Sequence, residues 1–290
     1  MKAGAILVAV CFGAISATAQ IQLELKLPRL QFIAYESVTA QLALTNLAGR
    51  DVELHNESGQ TWLGFEVSGS EGQSIESISA DKEPPLKVEA GKTVVRKINL
   101  TPRYAIHDFG TYRVRAHIYF ADLNKFFYSQ TRVFEVTDAR PIWQKTVGIP
   151  KDASISGDTR TYSLMTNRFP DHTSLYVRVE DKDSGAVYAT YSLGRIISFD
   201  TPQAQFDRGN QLNVLYCAAP RSWAYARVGL NGELLSHASF AETKTRPHLV
   251  SGDDGTIKIA GGMMIGAAPA QSPVAATKPP VQTSRISQDN

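Results

Sequence analysis

The sequence predicts an all-β protein built as a β-sandwich followed by a second, hairpin-rich β domain. Apolar and polar residues alternate with period two over several short segments, and beyond residue 20 no stretch carries the i, i+3, i+4 apolar spacing of a helix. Clusters of Gly, Asp, Asn and Ser punctuate those segments at short intervals. The run from His107 to Ala116 reads Asp-x-Gly-x-Tyr-x-Val-x-Ala, a tight turn that opens a strand. A chain of 290 residues agrees with two domains on a prior of about 150 residues each.

The chain opens with one lysine, Lys2, and an apolar run from Ala5 to Ile15 that ends at Ala17-Thr18-Ala19. That is the pattern of a secretory leader cleaved before Gln20. The run is too short for the about 20 apolar residues of a membrane span. Residues 1–19 are therefore read as a signal peptide, and the mature chain as secreted or periplasmic without an integral membrane segment. Cys11 leaves with the leader, which strands Cys217 as a lone thiol, so neither domain holds an internal disulfide and both cores rest on packing. In its apolar surroundings Cys217 reads as a small hydrophobe rather than a nucleophile. Removing Lys2 leaves 30 − 1 = 29 basic against 28 acidic side chains, a balance that argues against nucleic acid as a partner.

The first strand is Ile21, Leu23, Leu25 and Leu27 alternating with polar residues and closed by Pro28. Ser37 to Asn46 alternates again, with Val38, Ala40, Leu42 and Leu44 on one face. The polar stretch from Asn46 to Gln60 is loop with a short strand at Val52–Leu54. Trp62 to Val67, Leu86 to Lys92 and Thr93 to Leu100 follow as strands. The strand from Tyr112 pairs with Phe126–Val136 across a turn at Asp122–Lys125. The sandwich is placed at residues 20–138.

In immunoglobulin-like sandwiches a tyrosine near the start of strand F sends its hydroxyl back to the upstream backbone, two residues before an inward position that holds a cysteine in antibody domains. Tyr112 stands two residues before Val114. Residues 20–138 thus resemble the bacterial immunoglobulin-like and fibronectin-type-III-like modules of secreted proteins, on Asp108, Gly110, Tyr112, Val114 and Ala116, with Trp62 a candidate for the core tryptophan of strand C. With Val114 and Leu42 where antibody domains carry cysteines, the disulfide-linked branch is excluded. The resemblance implies a binding, spacer or scaffold role, and it gives Tyr112, Gly110, Asp108 and Trp62 structural parts.

After a linker at Asp138–Pro141 the second domain is placed at 139–264. Ser174–Glu180 and Ala186–Ser192 flank a turn of Asp, Ser and Gly, Gln211–Cys217 and Ala224–Leu230 form a second hairpin, and Asn231-Gly232 turns the chain into Glu233–Phe240. Pro247–Ser251 turns at Gly252–Gly255 into Thr256–Ala260. These units loosely resemble propeller-blade hairpins, and Ser251-Gly252-Asp253-Asp254-Gly255 matches half of an Asp-box turn. At about 40 residues per blade the region is too short to close a propeller, which favours a small sandwich or an open stack of hairpins. The Ala-, Pro- and Thr-rich composition of 265–290 predicts a disordered tail.

Catalytic and metal chemistry leave little trace. His55, His107, His117, His172, His237 and His248 are scattered without ligand spacing, so no metal centre is expected. Glu180, Asp181 and Asp183 suit a solvated hairpin turn better than a calcium loop, because Gly185 falls where a further ligand is needed. Ser68-Gly69-Ser70-Glu71-Gly72 lacks the first glycine of a nucleophile elbow. Glu66, Asp200 and Asp207 stay formal candidates for a glycosidase, and nothing calls for a cofactor.

Aromatic residues are the better lead. Tyr119-Phe120 and Phe126-Phe127-Tyr128 crowd one hairpin, and since neighbours on a strand face opposite ways, some of these rings point away from the core. Either the second domain covers them or they form a surface for a protein or carbohydrate partner in the cell envelope. Tyr119 and Phe127 are named for that surface, and Trp223 and Tyr225, on a turn after Arg221-Ser222, for a second one. The favoured function is a non-catalytic binding or scaffold protein recognising an envelope protein or glycan. The alternatives are a polysaccharide hydrolase with its site on loops of 139–264, and a protease inhibitor that uses a sandwich loop.

Overall fold

A computed structural model describes residues 20–57, 59–79, 82–149, 159–197 and 200–268. The expected leader lies outside these residues, as does the tail beyond 268. The chain is all β: its one helical turn among the described residues is a three-residue 3-10 segment at Ala121–Leu123. No helix among them is long and apolar enough to cross a membrane.

The first eleven strands are β1 (Ile21–Lys26), β2 (Gln31–Ile33), β3 (Thr39–Asn46), β4 (Val52–Leu54), β5 (Leu63–Ser68), β6 (Ser74–Ile75), β7 (Leu86–Val88), β8 (Thr93–Asn99), β9 (Gly110–Phe120), β10 (Lys125–Tyr128) and β11 (Arg132–Thr137). One sheet has the order β1-β3-β8 and the facing sheet β2-β11-β9-β5-β6, with β10 also paired to β9 and a small β4–β7 ladder beside them. All of these pairings are antiparallel except β2 with β11, which is parallel. Period two sets the packing. Leu23, Leu25, Leu42 and Leu44 from one sheet meet Phe65, Val114, Ile118 and Phe134 from the other in a single core. Leu42 and Val114 are both buried in that core.

The turn before β9 behaves as its residues dictate. Tyr112 donates its hydroxyl to the Asp108 carbonyl at 2.9 Å, which satisfies a polar atom that the core would otherwise strand. Gly110 has φ +142°, and a Cβ there would run into the Ser70 hydroxyl, which takes the Thr111 N–H at 2.8 Å. Trp62 is buried just ahead of β5 and donates its indole N–H to the Glu83 and Pro84 carbonyls. The expected single strand Phe126–Val136 is instead split at Ser129. The Ser129 N–H reaches the Ala116 carbonyl at 2.9 Å and its hydroxyl accepts the Ala116 N–H at 3.0 Å, so one extra residue enters this side of the ladder. Inward parity flips there, from Phe127 before the bulge to Phe134 and Val136 after it.

The second domain holds β12 (Arg140–Gly148), β13 (Thr159–Arg168), β14 (Thr173–Asp181), β15 (Val187–Ile196), β16 (Gln203–Phe206), β17 (Leu212–Ala219), β18 (Ser222–Val228), β19 (Leu234–Ala241), β20 (His248–Ser251), β21 (Ile257–Ala260) and β22 (Met263–Ala268). The sheets β12-β13-β14-β15 and β16-β17-β18-β19-β22 face each other across Tyr162, Leu164, Val177, Leu212, Val214 and Ala226. The predicted hairpins are present but are layered as a sandwich, not as blades. At the β14–β15 turn, Asp181 Oδ1 accepts the N–H groups of Asp183 and Ser184 while Oδ2 takes Arg160, so that carboxylate is occupied as a turn cap. The domain also runs past 264: β22 pairs with β19 as far as Ala268, four residues into the predicted tail.

Asp138 and Ala139 alone separate β11 from β12, and Ala139 is buried with Ile33, Met165 and Tyr176 in a small core between the domains. Arg29 ion-pairs with Glu36 and donates to the Tyr176 hydroxyl at 2.8 Å. Arg178 donates to the Ala34 carbonyl at 2.8 Å. Burial pushes the Tyr176 phenol up to about 12. The joint is a packed interface, not a free linker.

Candidate binding surface

On β9 the side chains of Arg113, Arg115, His117 and Tyr119 alternate outward against inward Val114, Ala116 and Ile118. Register brings neighbours to them. Phe126 lies opposite Tyr119, Tyr128 opposite His117 on one side and Gly64 opposite His117 on the other, with Glu66 opposite Arg115. The outer face of this sheet is therefore an aromatic and basic patch. Phe126 is 36% exposed and Tyr128 46% exposed in the two-domain chain, so the second domain does not cover them.

His117 is the centre of the patch. Its ring lies 5.7 Å from Phe126 and 5.9 Å from Tyr128, centroid to centroid, and Tyr119 meets Phe126 at 5.1 Å. The Nε2 edge of the imidazole sits against Gly64, where any Cβ would overlap it. Its Nδ1 is buried without a hydrogen-bond partner, and burial holds its pKa below the ordinary histidine value, with Glu66 raising it and Arg115 lowering it by smaller amounts. Arg115 closes the patch, its guanidinium 4.3 Å from the Tyr128 ring centroid and its Nε 3.0 Å from Glu66 Oε2.

No known protein family matches this sequence, and no curated protein does.

The named candidates divide. Tyr119 is on the outer face but only 8% exposed, roofed by Phe126 and donating its hydroxyl to Asn124 Oδ1 at 3.1 Å. Phe127 points the other way, into the core, and is 9% exposed, so Phe126 and Tyr128 on either side of it hold the surface instead. Trp223 is not presented on a turn. It is 2% exposed because the β20–β21 hairpin folds over the outer face of its sheet and packs Leu249 into a cluster with Leu215, Trp223 and Phe240. Tyr225, half-buried beside that cluster, donates its hydroxyl to Asn213 Oδ1 at 2.6 Å. No sugar-stacking pair forms there. Alternation counted back from the aromatic triplet separates Phe126 and Tyr128 from Phe127 as a set, but which set faces out depends on the Ser129 bulge.

The other chemical candidates have structural employment. Glu66 is tied to Arg115, Asp207 Oδ1 accepts the N–H groups of Gly209 and Gln211, and Ser70 holds the turn before β9. Cys217 is buried, its thiol pushed up by burial and donated to the Ala219 carbonyl. His107 stacks on Tyr35 at 5.4 Å. No group of three potential metal ligands comes together among the described residues.

Proposed function

We propose that this chain is a secreted or periplasmic protein, its leader removed before Gln20, that performs no chemistry and holds a partner protein of the cell envelope on the outer face of β5, β9 and β10. The exposed Phe126–Tyr128 pair packed around His117 carries the reading. Aromatic residues and arginine are enriched where protein interfaces are fully desolvated, and this patch offers both on a flat sheet. Arg113 is exposed on the same face beside Arg115, so the partner presents an apolar projection flanked by acidic side chains. The first domain serves as an immunoglobulin-like module in this reading, which the strand order and the Tyr112 hydrogen bond support.

Affinity capture from envelope extract tests it, with the full mature chain and its Phe126→Ala/Tyr128→Ala variant as parallel baits. The expected result is a protein retained by the first and not the second, which rebinds in purified form with an affinity at least about tenfold weaker for the variant, as loss of an interface hot spot requires. A captured protein that rebinds both equally would move the recognition face elsewhere.

A further inference from the structure

An open cleft of about 970 Å3 lies at the end of the second sandwich nearest the joint, between the start of β12, the β13–β14 turn and the segment after β15. The volume is that of a small-molecule site. Arg140 and Arg168 reach into it from neighbouring strands, both exposed and neither in an ion pair among the described residues. Asp138 and Asp200 supply carboxylates, while exposed Ile142 adds an apolar strip. Asn167 sits in the wall, more than nine-tenths buried, and its Nδ2 has no hydrogen-bond partner. Asp171 on the rim is already satisfied, one oxygen 2.7 Å from His172 Nδ1 and the other 3.1 Å from Arg195.

The lining sets the two arginines beside the Asp200 carboxylate and an apolar strip, while Asp138 Oδ1 already accepts the Ala139 N–H at 2.8 Å. Two arginines alone would favour an anion, but Asp138 and Asp200 offset them. A peptide added as a strand would need a continuous backbone edge, and at the rim Pro141 has no N–H and the β12 register shifts between Pro141 and Trp143. Hydroxyl groups both donate and accept, and a ring of them has an apolar face. We propose that this cleft binds a saccharide chain, with Arg140, Arg168 and Asp200 hydrogen-bonding its hydroxyls. Asp138 adjoins Ala139, which is buried in the joint, so packing anchors this wall of the cleft.

Calorimetric titration of the full mature chain with short homo-oligomers of glucose, of N-acetylglucosamine and of galacturonic acid tests the assignment. At least one oligomer is expected to bind saturably. Arg168→Ala and Asp200→Ala, exposed or half-exposed positions whose melting curves verify the fold, are each expected to weaken it by about tenfold, the scale of a hydrogen bond to a charged group. Phe126→Ala/Tyr128→Ala is expected to leave that binding unchanged, which separates this site from the protein-binding face. Absence of heat with all three oligomers at millimolar concentration overturns the proposal, as does binding that survives both variants. Binding of the galacturonate oligomer alone, tightened by Asp200→Ala, also overturns it and marks an anion site.

Discussion

At the scale of single residues, His117 is the most informative side chain. A neutral imidazole set against Gly64 between two exposed rings packs as an aromatic, whereas the charged form has a buried Nδ1–H and nothing to accept it. Its pKa in the folded chain is lowered, so the unfolded chain, near the ordinary histidine value of about 6.5, takes up the proton first as pH falls. Stability from this site is therefore present above the unfolded value and lost as pH drops through the folded one. Urea denaturation between pH 7.5 and 5 is expected to show a decline for the native chain that is shallower in His117→Gln. Equal slopes would mean that the ring is not held dry. The same acidification is expected to weaken any partner bound at Phe126 and Tyr128, since a charged His117 no longer packs between them.

The elements show why aromatic residues of similar appearance have opposite roles. Trp223 and Phe126 both sit on strands beside turns, yet the β20–β21 hairpin roofs one sheet, and none of the described segments roofs the other. Trp223→Ala is expected to cost about 3–5 kcal/mol, as truncation of a buried aromatic does, and to leave partner affinity intact. Phe126→Ala and Tyr128→Ala are expected to cost under about 1 kcal/mol each in denaturation, the exposed cation–π contact of Tyr128 included, while together weakening that affinity by at least about tenfold. The reverse pattern would put recognition at the second domain. The strands with clean alternation, such as β1 and β3, and the Tyr112 turn were legible in the sequence because both depend on local pattern: period two, Gly at a positive φ, and a tyrosine at a fixed offset from its carbonyl; β12 and β13 were not expected. Facing was not legible wherever a distant segment decides it. Nothing near Trp223 in sequence signals that residues 248–260 will cover it, and the one-residue insertion at Ser129 reverses which member of Phe126-Phe127-Tyr128 looks outward.

For the whole molecule, what matters is that two sandwiches behave as one body. A two-residue connection would allow swivelling if its residues were solvated, but Ala139 is buried between the domains, and two polar ties cross beside it, Arg29 with Tyr176 and Arg178 with the Ala34 carbonyl, while Glu36 holds Arg29 in place. Glu36 is the keystone because its carboxylate also accepts the Ile33 N–H at 3.1 Å, fixing the backbone against which Tyr176 and Met165 pack. Burial pushes this carboxyl above the usual carboxylate range, and Arg29 pulls it part of the way back. Removing the carboxylate leaves a partly buried arginine without a counter-ion, a loss of roughly 2 kcal/mol after allowing for the solvent that reaches Arg29. Because each sandwich has its own core, that loss falls on the joint rather than on either fold. Glu36→Ala is therefore expected to turn one thermal transition into two and to raise the radius of gyration in small-angle scattering. A single transition at unchanged dimensions would show that the apolar contacts of Ile33, Ala139, Met165 and Tyr176 hold the domains together without the ion pair.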